Sequence, residues 1–192
     1  LLFLPGVGEI LRVQEQLSTR VGSDVLLCPL YGALSLNDQR KAILPAPDGM
    51  RKVVLATNIA ETSLTIEGIR LVVDCAQERV ARFDARTGLT RLITQRISQA
   101  SMTQRAGRAG RLEPGICLHL LAKEQAERAA AQGDPEMLHS DLSGLLMELL
   151  QWGCRDPAQL TWLDLPPAVN VQAAKLLLHM LGALDGEQLS AI

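Results

Sequence analysis

Short, almost unbroken apolar runs recur along much of this chain, and they leave few folds open to it. Leu1 to Leu4, Val25 to Leu30, Lys52 to Thr57, Ile69 to Cys75 and Gly115 to Leu121 each have the length of a strand and little polar alternation. Such runs are the mark of strands buried on both faces. Between them lie helix-patterned segments: Gly6 to Val21, with Val7, Ile10, Leu11, Val13 and Leu17 apolar, and Ser35 to Leu44, which stops before Pro45. Strand and helix in alternation build a parallel sheet covered by helices on both faces, the doubly wound α/β plan. Sheets of that kind gather ligands beyond the carboxyl ends of their strands, so the residues just after each apolar run are where chemistry is expected.

The rhythm changes twice. From Arg79 to Phe83 and from Leu89 to Ile93 polar and apolar residues alternate around Asp84-Ala85-Arg86-Thr87-Gly88, which reads as an antiparallel hairpin projecting from the sheet. Ser98 is placed to cap the helix that follows, and Ala122 to Gln132 has a helical pattern closed by Gly133-Asp134-Pro135. Beyond that point the chain is helical, Asp141 to Trp152 and Ala168 to Leu184. Apolar stripes are expected at Leu142, Leu145, Leu146, Leu149 and Leu150 and at Ala173, Leu176, Leu177, Met180 and Leu181. The reading is therefore one α/β domain over residues 1–133 and a helical segment over residues 134–192.

Bulk composition excludes more than it assigns. Hydrophobic residues make up 47% of the chain, which is globular, and no run is long enough to cross a bilayer, so a soluble, cytoplasmic protein is expected. Cys28, Cys75, Cys117 and Cys154 are scattered without C-x-x-C spacing and read as buried free thiols, neither a metal site nor a disulfide framework. His119, His139 and His179 form no ligand pattern. The net charge of −2 conceals a basic block: Arg79, Arg82, Arg86, Arg91, Arg96, Arg105, Arg108 and Arg111 stand against Asp84 alone between residues 79 and 111. A block of that kind is either a solvated face or an anion-binding surface.

The end of the block favours an anion. Gln104-Arg105-Ala106-Gly107-Arg108-Ala109-Gly110-Arg111 sets three guanidiniums three residues apart, on one face if the segment is helical throughout. Like charges so placed repel one another and are relieved by a strongly anionic group such as a terminal phosphate. Gly107 and Gly110 weaken a helix and are at home where something approaches the backbone. Two strand exits add neutral donors: Pro29 to Ser35, with Gly32, and Val54 to Gly68, with Thr57, Asn58, Thr62, Ser63 and Thr65. Small hydroxyls, an amide and backbone N–H groups suit phosphates of a nucleic-acid backbone, and they suit capped turns equally well. Pro5-Gly6-Val7-Gly8 lacks a third glycine and a Gly-Lys-Ser/Thr ending, and no D-E-x-H box occurs, so the loop that cradles a triphosphate and the carboxylate that holds its metal must come from elsewhere.

Taken together these stretches resemble the second RecA-like domain of DEAH-box RNA helicases. In chain order, Leu2 to Ile10 is similar to helicase motif IV, Pro29 to Ser35 to motif IVa, Val54 to Glu67 to motif V and Gln104 to Arg111 to motif VI. Leu4 to Ile10 and Leu34 to Gln39 resemble a bacterial branch of the family. The resemblance implies that Arg108 and Arg111 are arginine fingers, that Gln104 helps place the attacking water or γ-phosphate, and that Glu67, with Thr65 near it, contacts ATP. It assigns Gly32, Thr57 and Asn58 to the nucleic-acid backbone. It also implies ATP with Mg²⁺, whose ligands belong to a preceding RecA-like domain of the same chain, single-stranded nucleic acid, RNA ahead of DNA, as partner, no membrane, and a winged helix starting after Gly133. His139 stands where relatives commonly have arginine. On this reading, replacing Arg108 silences turnover without cost to the fold. The other reading is a non-catalytic RecA-like module that holds nucleic acid or protein.

Overall fold

Leu30, Ala56, Phe3, Asp74 and His119 form one row across the carboxyl edge of a parallel sheet, and the rest of the first part of the chain is arranged around that row. The computed structural model describes residues 1–62, 64–111, 113–186 and 188–190. In chain order it contains β1 (Leu2–Phe3), α1 (Val7–Ser18), β2 (Val25–Leu30), α2 (Leu36–Ile43), β3 (Arg51–Ala56), β4 (Leu71–Asp74), β5 (Gln77–Asp84), β6 (Leu89–Arg96), α3 (Gln99–Ala106), β7 (Ile116–His119) and α4 (Lys123–Glu127). After these come α5 (Ser143–Gln151), α6 (Ala168–Met180), β8 (Leu184–Asp185) and β9 (Gln188–Leu189). The chain divides into two compact units, Leu1–Arg79 with Thr94–Gly133, and Val80–Ile93 with Asp134–Ile192.

The first unit holds the sheet, in strand order β2-β3-β1-β4-β7, all parallel. Alternation along the strands sends side chains to two buried faces. Phe3, Leu30, Val54, Ala56 and Val72 pack with Ala42 of α2 and with Ala109, while Leu55 and Leu4 pack on the other face with Ile10, Val13 and Leu17 around α1. This is the α/β plan expected from the apolar runs. Pro29 is tolerated within β2 because that strand is the sheet's edge. Ser35 caps α2, its Oγ accepting from Asp38 N at 3.2 Å, and the helix stops at Leu44, held extended by the proline that follows.

One helical expectation is corrected in the first unit. The segment from Ala122 to Gln132 is helical only over Lys123–Glu127. The carbonyls of Ala130 and Ala131 instead accept from Gln99 N and Ala100 N, and Gln99 Nε2 donates to Glu127 O and Ala129 O. The first turn of α3 has N–H groups with no partner inside their own helix, and the chain after α4 unwinds to satisfy them. Likewise the thiols are not buried: Cys28, Cys75, Cys117 and Cys154 are free and half-buried. Burial pushes Cys28, Cys75 and Cys117 above the ordinary thiol range, so the neutral form prevails.

In the second unit α5 and α6 meet through Leu142, Leu146, Ala174 and Leu178, and β8 and β9 pair antiparallel beside them. The stripe expected on α5 is the buried one. That expected on α6 is not: Leu176 and Met180 are 63% and 77% exposed, and Val171, Ala174 and Leu178 face the seam. Both sets have helical spacing, and packing against α5 chooses between them. The hairpin tip also belongs to this unit. Asp84 Oδ1 accepts from Arg86 N and its carbonyl from Thr87 N and Gly88 N, with Gly88 at φ 67°, closing the turn between β5 and β6. Phe83 N donates to His139 O at 2.7 Å, and the His139 ring nitrogen Nε2 lies 2.9 Å from Asp134 Oδ2 and against Arg82 Nη1.

Candidate nucleotide and nucleic-acid site

Asp74 ends β4 fully buried, a position an ionised carboxylate occupies only with strong partners. It has them. Oδ1 accepts from Arg105 Nη1 at 2.8 Å and from Ala76 N at 2.9 Å, and Oδ2 lies 3.1 Å from His119 Nδ1 in the same row of the sheet. Arg105 is the largest fully buried side chain among the described residues, 1% exposed. Its Nε donates to Glu61 Oε2 at 3.0 Å and its Nη1 also to Gln77 O at 3.2 Å, and the guanidinium stands 4.8 Å over the Phe3 ring. One side chain on α3 therefore ties together β1, β4, the start of β5 and the loop after β3.

This corrects the expectation of three arginines on one helical face. Ser98 caps α3, accepting from Ser101 N, but the helix ends at Ala106, and Arg108 and Arg111 lie in the turns beyond it. Arg105 does not face a ligand. Its geometry is that of an internal post, matched by two carboxylates. The sequence carried a signal for it, an acid closing an otherwise apolar strand at Leu71-Val72-Val73-Asp74, because a carboxylate there needs a buried cation. Glu61 offered no comparable signal.

Arg108 and Arg111 turn to the same loop. Arg108 donates from Nη1 to Leu64 O and from Nη2 to Glu61 O, and is only 6% exposed. Burial first, and then the charge of Arg111, push its guanidinium below the ordinary arginine range, with Glu61 acting the other way. The guanidinium stays charged, and burial beside Arg111 leaves it with more positive charge around it than Glu61 alone offsets. The two carbonyl bonds also make Arg108 part of the fold, against the expectation that it could be removed without structural cost. Arg111 is exposed and donates from Nη1 to Thr65 Oγ1 at 2.7 Å. Gln104, exposed on the last turn of α3, has no side-chain partner among the described residues.

Past the row at the sheet's edge, Thr57 N donates to Leu30 O, so the exits of β2 and β3 run side by side, with Gly32 on one and Thr57 and Asn58 on the other. Asn58 is exposed and begins a short 3₁₀ turn, Asn58–Ala60. A Cβ on Gly32 would meet nothing within 4 Å, so packing does not require glycine there. Gly115 is the opposite case: a Cβ would lie 2.0 Å from Ala109 O and 2.7 Å from Arg70 O, so only glycine lets the start of β7 pass behind the arginine turn. Glu67 lies apart from the arginine turn and lines a cleft of about 720 Å³ at the amino ends of β1, β3 and β4, together with Lys52 and Arg70. Ser63, within the hydroxyl-rich stretch, lies outside the described residues. The structure thus joins Arg108 and Arg111 to the loop bearing Thr65, sets Gly32 beside Thr57 and Asn58, and keeps Glu67 in a separate recess.

A RecA-like parallel sheet whose arginine turn is stapled to the loop after its third strand defines a class, the second lobe of a helicase core. Residues 1–113 match the helicase conserved C-terminal domain, and the chain belongs to that family. Over 191 residues it is 87% identical to the ATP-dependent RNA helicase HrpB of Escherichia coli (strain K12), covering 100% of this chain and 24% of that protein. It is 40% identical over 190 residues to the probable ATP-dependent RNA helicase DHX34 of Mus musculus, covering 98% of this chain and 17% of that protein. The crystal structure of Escherichia coli DEAH/RHA helicase HrpB matches 99% of this chain and 24% of that one with a TM-score of 0.94 and 87% identity. The resemblance to DEAH-box helicases, and to a bacterial branch of them, is borne out. The chain spans about a quarter of the length of its bacterial relative.

Proposed function

We propose that this chain is the C-terminal motor half of an ATP-dependent DEAH-box RNA helicase that couples ATP hydrolysis to movement along, or unwinding of, nucleic acid. The observation that carries this reading is the pair Arg108 and Arg111, both bound to the loop that follows β3, with burial and the charge of Arg111 pushing the Arg108 guanidinium below its ordinary range. A third charge of opposite sign relieves that repulsion, and a triphosphate supplies it.

The donor set fits ATP. Arg111, exposed and held through one hydroxyl, would meet the γ-phosphate, Arg108 would support it from the buried side, and Gln104 would orient the attacking water. Thr65 is bound to Arg111, and Glu67, two residues further on but lining the separate recess at the amino ends of β1, β3 and β4, is proposed as the carboxylate that accepts from ribose hydroxyls. When bound, ATP supplies the anhydride whose cleavage drives the motor. Mg²⁺ and the phosphate-cradling loop are assigned to a preceding RecA-like lobe. Gly32, Thr57 and Asn58 would hold the backbone of a single strand, RNA ahead of DNA, without reading its bases. Residues 1–133 would form the RecA-like domain and residues 134–192 begin a winged-helix domain, a reading supported by two helices followed by an antiparallel strand pair. The protein would work in the cytoplasm; no described helix is long and apolar enough to cross a membrane.

The test is ATP turnover by the full-length protein with single-stranded RNA, single-stranded DNA or neither. The reading expects RNA to stimulate most. Indifference to both nucleic acids would favour a non-catalytic binding module.

A further inference from the structure

Glu61 is attached at three points to groups that otherwise belong to different parts of the site. Its N–H donates to Asn58 O at 2.9 Å, its carboxylate accepts from Arg105 Nε at 3.0 Å, and its carbonyl accepts from Arg108 Nη2. The first attachment closes the 3₁₀ turn that presents Asn58, and the third holds a proposed phosphate-binding arginine. Between them, the carboxylate grips a guanidinium that is itself bonded to Asp74 and Gln77, stacked on Phe3 and fully buried.

We infer that Glu61 is a positioning residue that transmits strand binding at Asn58 to Arg108, pivoting on Arg105. This rests on the functional reading above. A displacement of the Asn58 turn by a bound strand reaches Glu61 through one backbone hydrogen bond, and Glu61 cannot shift without moving the carbonyl that Arg108 holds. The ion pair with Arg105 determines how that displacement is passed on: with it the turn rotates about a fixed point, and without it the turn moves on its own. Coupling of this kind travels through packed groups with specific bonds, and its size is what a substitution on the path changes.

The charge count makes the test clean. Arg105 faces two carboxylates, Asp74 and Glu61, so Glu61→Gln leaves the buried guanidinium paired with Asp74 while keeping an amide oxygen for Nε. In the full-length protein, ATP turnover is measured without RNA and at saturating single-stranded RNA, alongside RNA affinity and the thermal unfolding midpoint. For Glu61→Gln the ratio of stimulated to unstimulated turnover should fall at least about five-fold, with RNA affinity and midpoint close to wild type, and Glu61→Ala should lower the ratio further. A wild-type ratio in Glu61→Gln overturns the inference. So do stimulated and unstimulated rates that fall in parallel with a lowered midpoint in both variants, the behaviour of a merely structural residue. Wild-type protein with no RNA-stimulated turnover would instead overturn the functional reading, and this link with it.

Discussion

In the first unit a buried guanidinium, Arg105, is matched by Asp74 and Glu61, whereas in the second unit α5 and α6 meet through leucines and alanine. The two regions solve different problems. A buried ion cluster adds little net stability, because desolvation offsets attraction, but it is costly to break and it fixes groups in direction. An apolar seam stabilises in proportion to the area it buries and is indifferent to small rotations. The cluster therefore sits where a loop must be aimed, and the seam where two helices need only adhere.

Removing one partner from the cluster should have the largest effect on stability. Asp74→Ala leaves Arg105 and His119 facing an empty site at the sheet's edge, and should destabilise this chain by about 3–5 kcal/mol in chemical denaturation. A loss below about 1 kcal/mol would mean that Glu61 alone can neutralise Arg105. In the apolar seam, Leu146→Ala should cost about 2–5 kcal/mol through lost burial and the cavity left behind, with turnover of the full-length protein reduced only as far as folding is. Gly115→Ala tests the cramped passage behind the arginine turn and should cost about 1–3 kcal/mol, since its Cβ meets backbone that cannot move aside cheaply. By contrast Leu176→Ser, on the face of α6 turned away from the seam, should change stability by no more than about 0.5 kcal/mol; a large loss would restore the stripe read from the sequence.

The smallest effect is expected at the exposed anchor of the hairpin. Hydrogen bonding from His139, and then its charge and that of Arg82, hold the Asp134 carboxyl below the ordinary carboxylate range. A depressed carboxyl stabilises above its unfolded-state value, about 3.9, and that contribution is lost as pH falls through the lower folded-state value. Acidification through and below pH 4 should therefore loosen the contact between residues 80–84 and 134–139 in the wild type, measurable by amide exchange at Phe83. Asp134→Asn should show that looser state already at neutral pH. Identical exchange profiles would remove the anchor.

Much of the first unit could be read from residue pattern because its strands are nearly uniformly apolar, and local composition and final burial agree there. Val25–Leu30 is a strand over the residues expected, and Ser35 and Ser98 cap the helices assigned to them. Legibility failed where a distant partner overrode local preference. Helical propensity continues past Glu127, but the N–H groups of α3 claim the carbonyls there. On α6 two apolar faces have equal periodicity, and only the position of α5 selects one. Around the site, the order of the motifs was visible, and so was the block of arginines. What could not be read was their division of labour, since spacing alone makes Arg105, Arg108 and Arg111 equivalent, while burial beside Asp74 separates the first from the others. Glu61 escaped notice because a glutamate in a polar loop has no distinguishing pattern until its three partners are known.

If, as proposed, the turn after α3 presents positive charge to a triphosphate gripped from the far side by another lobe, Arg111 is the residue to change, being exposed and bonded through its side chain, among the described residues, to Thr65. In the full-length protein Arg111→Ala should lower RNA-stimulated ATP turnover by about 10³-fold or more while RNA binding and the thermal midpoint stay at wild-type values. Turnover within a few-fold of wild type would contradict the account.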